Sequence, residues 1–329
     1  MRSWLCHAIT GEQGLRLEEV DEPACGPGQV LIDNHCAALN FPDALMIRGL
    51  YQFKPDLPFV PGSELAGTVR AIGDGVEGFS VGQRVLALSG FGACSDIVAV
   101  APPMQQLHAM PASMSFEEAS GFAMTYGTSM HALVQRGQLQ ADETVLVLGA
   151  AGGCGSAAIQ IAKALGARVI AAVSSEQKLQ AAKQLGADDV VNYKTHDMRD
   201  TVKALTDGAG VDVVFDPVGD ALFEQAVRCV GWNGRYLVVG FAGGEIPTLK
   251  ANYTIIKSLS VIGVAFGMSA INDPAMNAAN FAQLFSWYEQ GLVKPLVSEV
   301  YELEQLPEAL AALYAGEAIG KLVVRFKSQ

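Results

Sequence analysis

Residues 145–155 read Val-Leu-Val-Leu-Gly-Ala-Ala-Gly-Gly-Cys-Gly, an apolar strand running directly into a glycine-rich turn and then into a helix-forming stretch. That order of elements suits a phosphate group. Gly152 lets the backbone approach a pyrophosphate, Gly155 lets the helix pack closely on the strand, and the amides of Gly153 and Cys154 open the helix as hydrogen-bond donors. Cys154 contributes its N–H rather than its thiol. The first glycine of the G-x-G-x-x-G pattern is replaced by Ala150, so the motif departs from the strict form. A plain tight βα connection is the competing reading, and the alternation of elements on either side favours the phosphate site.

Where a dinucleotide is bound, an acidic residue at the end of the second strand takes the ribose hydroxyls of NAD. Here the strand at 168–173 is followed by Ser174, Ser175 and Lys178. Two hydroxyls and an ammonium suit a 2′-phosphate, and so point to NADPH. Glu176 pulls the other way, and a solvated helix lysine is the bland reading of Lys178. Tyr193, ending the third strand, either flanks the adenine-ribose edge or packs.

The elements that must position these groups follow a regular rhythm. Strands at 144–149, 168–173, 189–193, 211–215 and 235–239 alternate with helices at 155–165, 177–185, 198–205 and 221–229, and an apolar run follows at 259–264. Strands apolar on both faces and joined by helices imply a doubly wound parallel sheet, an α/β fold. The first ~110 residues differ. Short β-rich runs at 29–34, 65–72, 84–88 and 96–100 stand between Gly and Pro clusters and imply a β-rich domain. A helix-like stretch at 116–136, capped by Ser115 with Glu117 and Glu118 in its first turn, opens the second unit. The closing segment has helices at 276–289 and 306–314 and strands at 297–301 and 321–326. It does not extend the alternation and is returned to the first domain.

The chain has 329 residues, half of them apolar and 17% charged, which fits a globular protein of about two domains. Its formal charge of −12 has the wrong sign for a chain that neutralises nucleic-acid phosphates or lies on anionic lipid. The longest uncharged stretch, 145–162, carries four glycines at its centre, which argues against a membrane span. Six scattered cysteines with no C-x-x-C pair, and an N-terminus without a signal-peptide run, point to a reducing cytoplasmic compartment.

Several ordered motifs accompany this organisation: Ala38-Leu-Asn-Phe-Pro-Asp43, Gly49-Leu-Tyr51, Pro58-Phe-Val-Pro-Gly-Ser-Glu-Leu-Ala-Gly67, Gly82-Gln-Arg-Val85, Asp216-Pro-Val-Gly219 and Gly320-Lys-Leu-Val323. With the glycine turn they resemble, over nearly the whole chain, the medium-chain dehydrogenase/reductase superfamily and within it the zinc-free NADPH:quinone oxidoreductases, the zeta-crystallin-like group. The resemblance implies a GroES-like β-rich catalytic domain, 1–122 and 266–329, around an inserted Rossmann domain, 123–265, with the site in the cleft. Zinc members carry Cys where this chain has Asn40, and the His of a G-H-E motif where it has Ser63. Their structural zinc lobe needs four close cysteines, and the matching region offers only Cys94. No zinc site is therefore expected.

Without a Lewis acid, an unactivated alcohol or ketone is a poor substrate, whereas quinones and enones need orientation beside the nicotinamide and hydrogen bonds to the developing oxyanion. By resemblance Asn40, Asp43 and Tyr51 line the site. Tyr51 and Asn40 would donate to the oxyanion, and Asp43 would order the loop or the cofactor, or simply cap a turn. The same carry-over assigns Thr128, Val218, Gly240, Phe241, Val264, Ala265, Phe266 and Lys321 to the cofactor, with Phe241 a wall over the ring or ordinary packing. An NADPH-dependent enoyl-thioester reductase is the nearest alternative, since such relatives share N-x-x-D and Gly-x-Tyr, although only Arg48 and Lys54 are available near the motif for a CoA or acyl carrier. An NADPH-binding structural or RNA-associated protein with little turnover is a further one, which the acidic balance disfavours. Relatives commonly form homodimers through the edges of their nucleotide-binding sheets, and the run 259–264 is apolar enough to take part.

Overall fold

A computed structural model describes residues 1–102 and 105–326; residues 103, 104 and 327–329, which fall inside the expected catalytic segments, lie outside the described residues. The chain divides into two units, Met1–Met124 with Pro295–Gln329, and Thr125–Lys294.

The first unit begins with β1 (Arg2–Cys6) paired antiparallel with β2 (Leu15–Glu19). Then follow β3 (Val30–Ala38), the six-residue helix α1 (Phe41–Met46), β4 (Glu64–Ile72), β5 (Arg84–Leu88), β6 (Ile97–Val100), β7 (Gln106–Ala109) and α2 (Phe116–Ser120). Ser115 caps α2 by accepting the Glu118 amide, while Glu118 reaches back to the Ser115 amide.

The second unit takes over within α3 (Ala123–Met130), which continues as a π-helical turn, His131–Arg136. It proceeds through β8 (Thr144–Val147), α4 (Gly153–Ala164), β9 (Arg168–Val173), α5 (Glu176–Gln184), β10 (Asp189–Asn192), α6 (Met198–Leu205), β11 (Val211–Asp216), α7 (Asp220–Val227), β12 (Val230–Val238), α8 (Asn252–Lys257), β13 (Ser260–Gly263), α9 (Phe266–Asn272) and α10 (Pro274–Glu289). All six strands are parallel, in the order β10-β9-β8-β11-β12-β13. The central strands are β-branched and buried on both faces, as a sheet covered by helices on both sides requires. This strand order, 3-2-1-4-5-6, is that of the Rossmann fold.

The chain then returns to the first unit with β14 (Val297–Glu302), α11 (Leu306–Tyr314) and β15 (Lys321–Arg325). The seven-stranded path is β14-β15-β3-β4-β5-β7, with β6 added on β3. Its core gathers Ile32, Leu39, Leu65 and Val85 with Leu306, Leu310 and Val324 from the other end of the chain.

Two differences from the sequence reading have local causes. The helix expected over 116–136 is interrupted at Gly121, where a Cβ would come within 3.0–3.4 Å of the Lys321 side chain. The boundary expected at 265/266 falls instead at Lys294/Pro295. The Phe266 ring lies so close on Gly127 that a Cβ there would meet it at 2.3 Å. Ser269 bonds His131 at 3.0 Å, and Asn280 exchanges hydrogen bonds of 2.9 and 3.2 Å with Gln135. Lys294 closes on Gln160 of α4 through both its amide and its carbonyl. Buried rings and amides thus hold residues 266–294 to the parallel-sheet unit.

Candidate functional site

In the second unit the turn after β8 does what its glycines allow. Gly149 adopts φ +56° and Gly152 donates back to its carbonyl at 2.9 Å. A Cβ on Gly155 would stand 2.2 Å from the Gly149 carbonyl oxygen, so only glycine lets α4 seat against the turn. Gly152 is the N-cap of α4, and Gly153, Cys154 and Gly155 supply its opening amides, ahead of the i→i−4 ladder. Ser129 anchors the turn by donating to the Cys154 carbonyl at 2.9 Å. The shape is that of a pyrophosphate cradle, and its residues fit a dinucleotide.

Past β9, Ser175 caps α5 by accepting the Lys178 amide at 3.3 Å, which leaves its O–H able to donate. Lys178 is half-buried at the same turn. The Ser174 side chain bonds Tyr193, whose hydroxyl pKa is raised mainly by burial. Glu176 accepts from Gln180 at 2.8 Å, so its carboxylate is engaged along its own helix.

The loop after β11 is organised by Asp216, a residue not singled out for the site from sequence. Its Oδ1 accepts the amides of Val218 and Gly219, both at 2.8 Å, and its Oδ2 accepts the Tyr236 hydroxyl at 2.6 Å. Burial raises the Asp216 pKa, and the three donors hold it down. Gly240 lies over Pro217, and the Phe241 ring, 37% exposed, packs against Gly219. Thr128 is half-buried, Val264 is half-buried with its amide on the Val238 carbonyl, and Ala265 is exposed. Phe266 is 6% exposed, with its ring against Gly127.

In the first unit the motif residues form a buried polar cluster. Lys321, expected beside the cofactor, has its ammonium inside the unit, bonding the Leu39 carbonyl at 2.8 Å, Asn40 Oδ1 at 2.7 Å and Glu64 Oε1 at 2.8 Å. Those three bonds use all its donors. Asn40, expected as an oxyanion donor, spends its amide on Ser63 Oγ at 3.2 Å and Glu64 Oε1 at 2.9 Å. Glu64 is fully buried, and its second oxygen accepts the Met124 amide at 2.9 Å. Asn40 and Lys321 thus share one buried hydrogen-bonded cluster with Glu64. Ser63 and Glu64 were visible only as a departure from G-H-E, and their connection to Lys321 arises from the fold.

Asp43 is completely buried in the first turn of α1 and accepts the Asn40 amide at 2.8 Å. Its other oxygen, Oδ1, has no hydrogen-bond partner among the described residues. Burial pushes its carboxyl up to about 7, against the Asn40 amide, the Ser63 hydroxyl and the Lys321 ammonium, which hold it down. Tyr51 is half-buried beside this core; burial, and then the Asp43 charge, raise its hydroxyl pKa. It brings a donor that the Asn40–Lys321 cluster does not consume.

The donor set does not suit a metal ion. The oxygens of Asn40 and Glu64 already surround an ammonium, and among the described residues no group of three or more His, Cys, Asp or Glu could hold a metal. No helix among them is long and apolar enough to cross a membrane.

A β-rich unit formed by both chain ends and a Rossmann unit inserted between them define the medium-chain dehydrogenase/reductase architecture. Comparison with known proteins agrees. Residues 26–135 match the alcohol dehydrogenase GroES-like domain and residues 153–284 match the zinc-binding dehydrogenase domain. The chain is 35% identical over 327 residues to quinone oxidoreductase-like protein 2 of Mus musculus, covering 99% of this chain and 92% of that protein. It is 30% identical over 328 residues to the quinone oxidoreductase of Homo sapiens, covering 98% and 97%. The structure of Escherichia coli quinone oxidoreductase complexed with NADPH superposes with a TM-score of 0.91 at 29% identity, covering 99% of this chain and 100% of that one. The chain belongs to the zinc-free quinone oxidoreductase family of the medium-chain dehydrogenase/reductases, and is an oxidoreductase.

Proposed function

We propose that this protein uses NADPH to reduce quinones or other electron-poor α,β-unsaturated carbonyls without a metal ion. The observation that carries the reading is the Lys321 ammonium held among Leu39, Asn40 and Glu64. The cation occupies the place between Asn40 and Glu64, and among the described residues no metal-ligand set stands there to act as a Lewis acid, which favours acceptors that bring their own electrophilicity. NADPH, when bound, supplies the hydride. Gly152, Gly153, Cys154 and Gly155 would hold its pyrophosphate. Ser174, Ser175 and Lys178 would hold the 2′-phosphate, with Tyr193 along the adenosine edge. Tyr51 supplies an O–H to the oxygen on which negative charge develops, while Asp43 and Asn40 keep the α1 turn in place.

Tyr51 is shared with enoyl-thioester reducers, so the acceptor is settled by comparison. NADPH oxidation is followed with benzoquinone, phenanthrenequinone, a simple enone and crotonyl-CoA in parallel, with NADH as control and a chelator present. Turnover on quinone or enone is expected. Preference for crotonyl-CoA transfers the reading to enoyl-thioester reduction, and NADPH binding without turnover transfers it to a binding protein. A homodimer through the outer edge of β13 is the matching assembly, checked by light scattering. Six free thiols accord with a reducing cytoplasm.

A further inference from the structure

A cavity of about 490 Å³ in the second unit gathers Arg199, Lys203, Arg228 and Lys257 with Trp232 and Tyr253. Among the described residues no carboxylate lines it, in a chain whose acidic residues outnumber its Lys and Arg by 34 to 22. Arg199 and Lys203 stand four apart on α6 and so share a helix face; neither has an ion-pair partner among the described residues. The other two cations are held as a frame. Arg228 is paired with Glu224 and reaches the Tyr253 hydroxyl at 3.2 Å, and Lys257 donates to the carbonyls of Arg228 and Val230. Among the described residues Glu224 is the one carboxylate paired with the frame, and it accepts from Tyr253 as well. The excess positive charge is felt locally: besides burial, the nearby Lys203 and Arg199 push the Lys257 ammonium pKa down.

The place matters as much as the charge. Residues 208–210 precede β11, and Val230 to Trp232 begin β12, so the cavity lies at the amino ends of the parallel strands. The glycine turn follows the carboxyl end of β8, at the opposite ends of the strands of the same sheet. Trp232 is 70% exposed, an indole presented to solvent beside four cations. A volume of this size is that of a small-ligand site.

We propose that this cavity is a second binding site, for a small phosphate ester bearing a planar ring. Its phosphoryl group would pair with Arg199 and Lys203, and its ring would lie on Trp232. The proposal does not rest on the reductase reading.

The test uses the full chain and AMP as probe, with adenosine, inorganic phosphate and a short single-stranded RNA in parallel arms. Binding is measured by calorimetry and by quenching of indole fluorescence, with and without excess NADPH. AMP is expected to bind in the presence of NADPH, to quench fluorescence, and to weaken as salt rises. Arg199→Ala and Arg199→Ala/Lys203→Ala should each weaken AMP, the double variant by roughly tenfold or more, while Lys183→Ala on α5 leaves it unchanged. Trp232→Phe should remove most of the quench yet retain calorimetric binding. Arg199 is exposed, so its single variant keeps the fold and stands alone if the double variant does not. AMP binding that NADPH displaces and the α6 variants ignore would place the ligand on the glycine turn and overturn the proposal. Adenosine binding as tightly as AMP overturns the phosphate assignment, inorganic phosphate matching AMP overturns the ring assignment, and preference for RNA overturns the small-ligand reading.

Discussion

Replacing Lys321 by Met removes one partner of a salt bridge whose side chains are 5% and 0% exposed. The Glu64 carboxylate keeps the Asn40 and Met124 donors, at 2.9 Å each, but loses its counter-charge while fully buried. Asn40 Oδ1 and the Leu39 carbonyl lose their donor in the same step. Breaking a buried pair in this way costs about 3–5 kcal/mol. With a urea dependence of ~2 kcal/mol per M for a unit of this size, the unfolding midpoint should fall by roughly 1.5–2.5 M. Trp4 reports on the correct unit: it is buried in the first unit's core and its indole donates to the Leu303 carbonyl at 2.8 Å. Replacing Trp232 and Trp287 by Phe leaves Trp4 as the only tryptophan, so its emission against urea isolates this transition. The charge argument makes a second, sharper demand. Adding Glu64→Gln neutralises the stranded carboxylate while keeping an acceptor, so Glu64→Gln/Lys321→Met should be more stable than Lys321→Met alone. A midpoint shift below ~0.5 M for the single variant, or a double variant less stable than the single one, would refute the reasoning.

Asp43 links the same cluster to pH. Its carboxyl is raised from 3.8 to about 7, chiefly by burial, so the native state keeps a proton that the unfolded chain has released. The associated stability is full below pH ~4 and is lost as pH rises through about 7, at up to ~1.4 kcal/mol per pH unit, and Asp43→Asn should flatten that slope in urea titrations from pH 5 to 8. An identical slope in the variant would show that Asp43 ionises without cost. Lys178→Ala should raise the Kd for NADPH by roughly tenfold and leave NADH within about twofold, measured by nicotinamide fluorescence; equal losses would remove the 2′-phosphate role. Tyr51→Phe should lower kcat on a quinone by roughly 10- to 100-fold with NADPH affinity unchanged, and unaltered turnover would reduce the hydroxyl to lining.

What could be read in the sequence is what adjacent residues decide. The spans Arg84–Leu88, Arg168–Val173, Met198–Leu205 and Leu306–Tyr314 have the bounds that apolar pattern and flanking residues dictate; α6, for example, is started by Asp197 accepting the Asp200 amide at 2.8 Å. The glycine turn is equally local, because Gly149, Gly152 and Gly155 meet one another's backbone. The six residues of α1 and the pairing of β1 with β2 carry too little periodicity to stand out. Lys321 and Glu64 are 257 positions apart, and neither segment signals that its charge is to be buried against the other. The same holds for the cluster of Arg199, Lys203, Arg228 and Lys257, which a composition of −12 conceals. Phosphate-binding backbone is legible because it needs glycine at set spacing, which few other demands imitate. A charge meeting its partner needs only a Lys and a Glu, the residues any solvated surface also uses, so their meaning exists only once β4 and β15 have closed on β3.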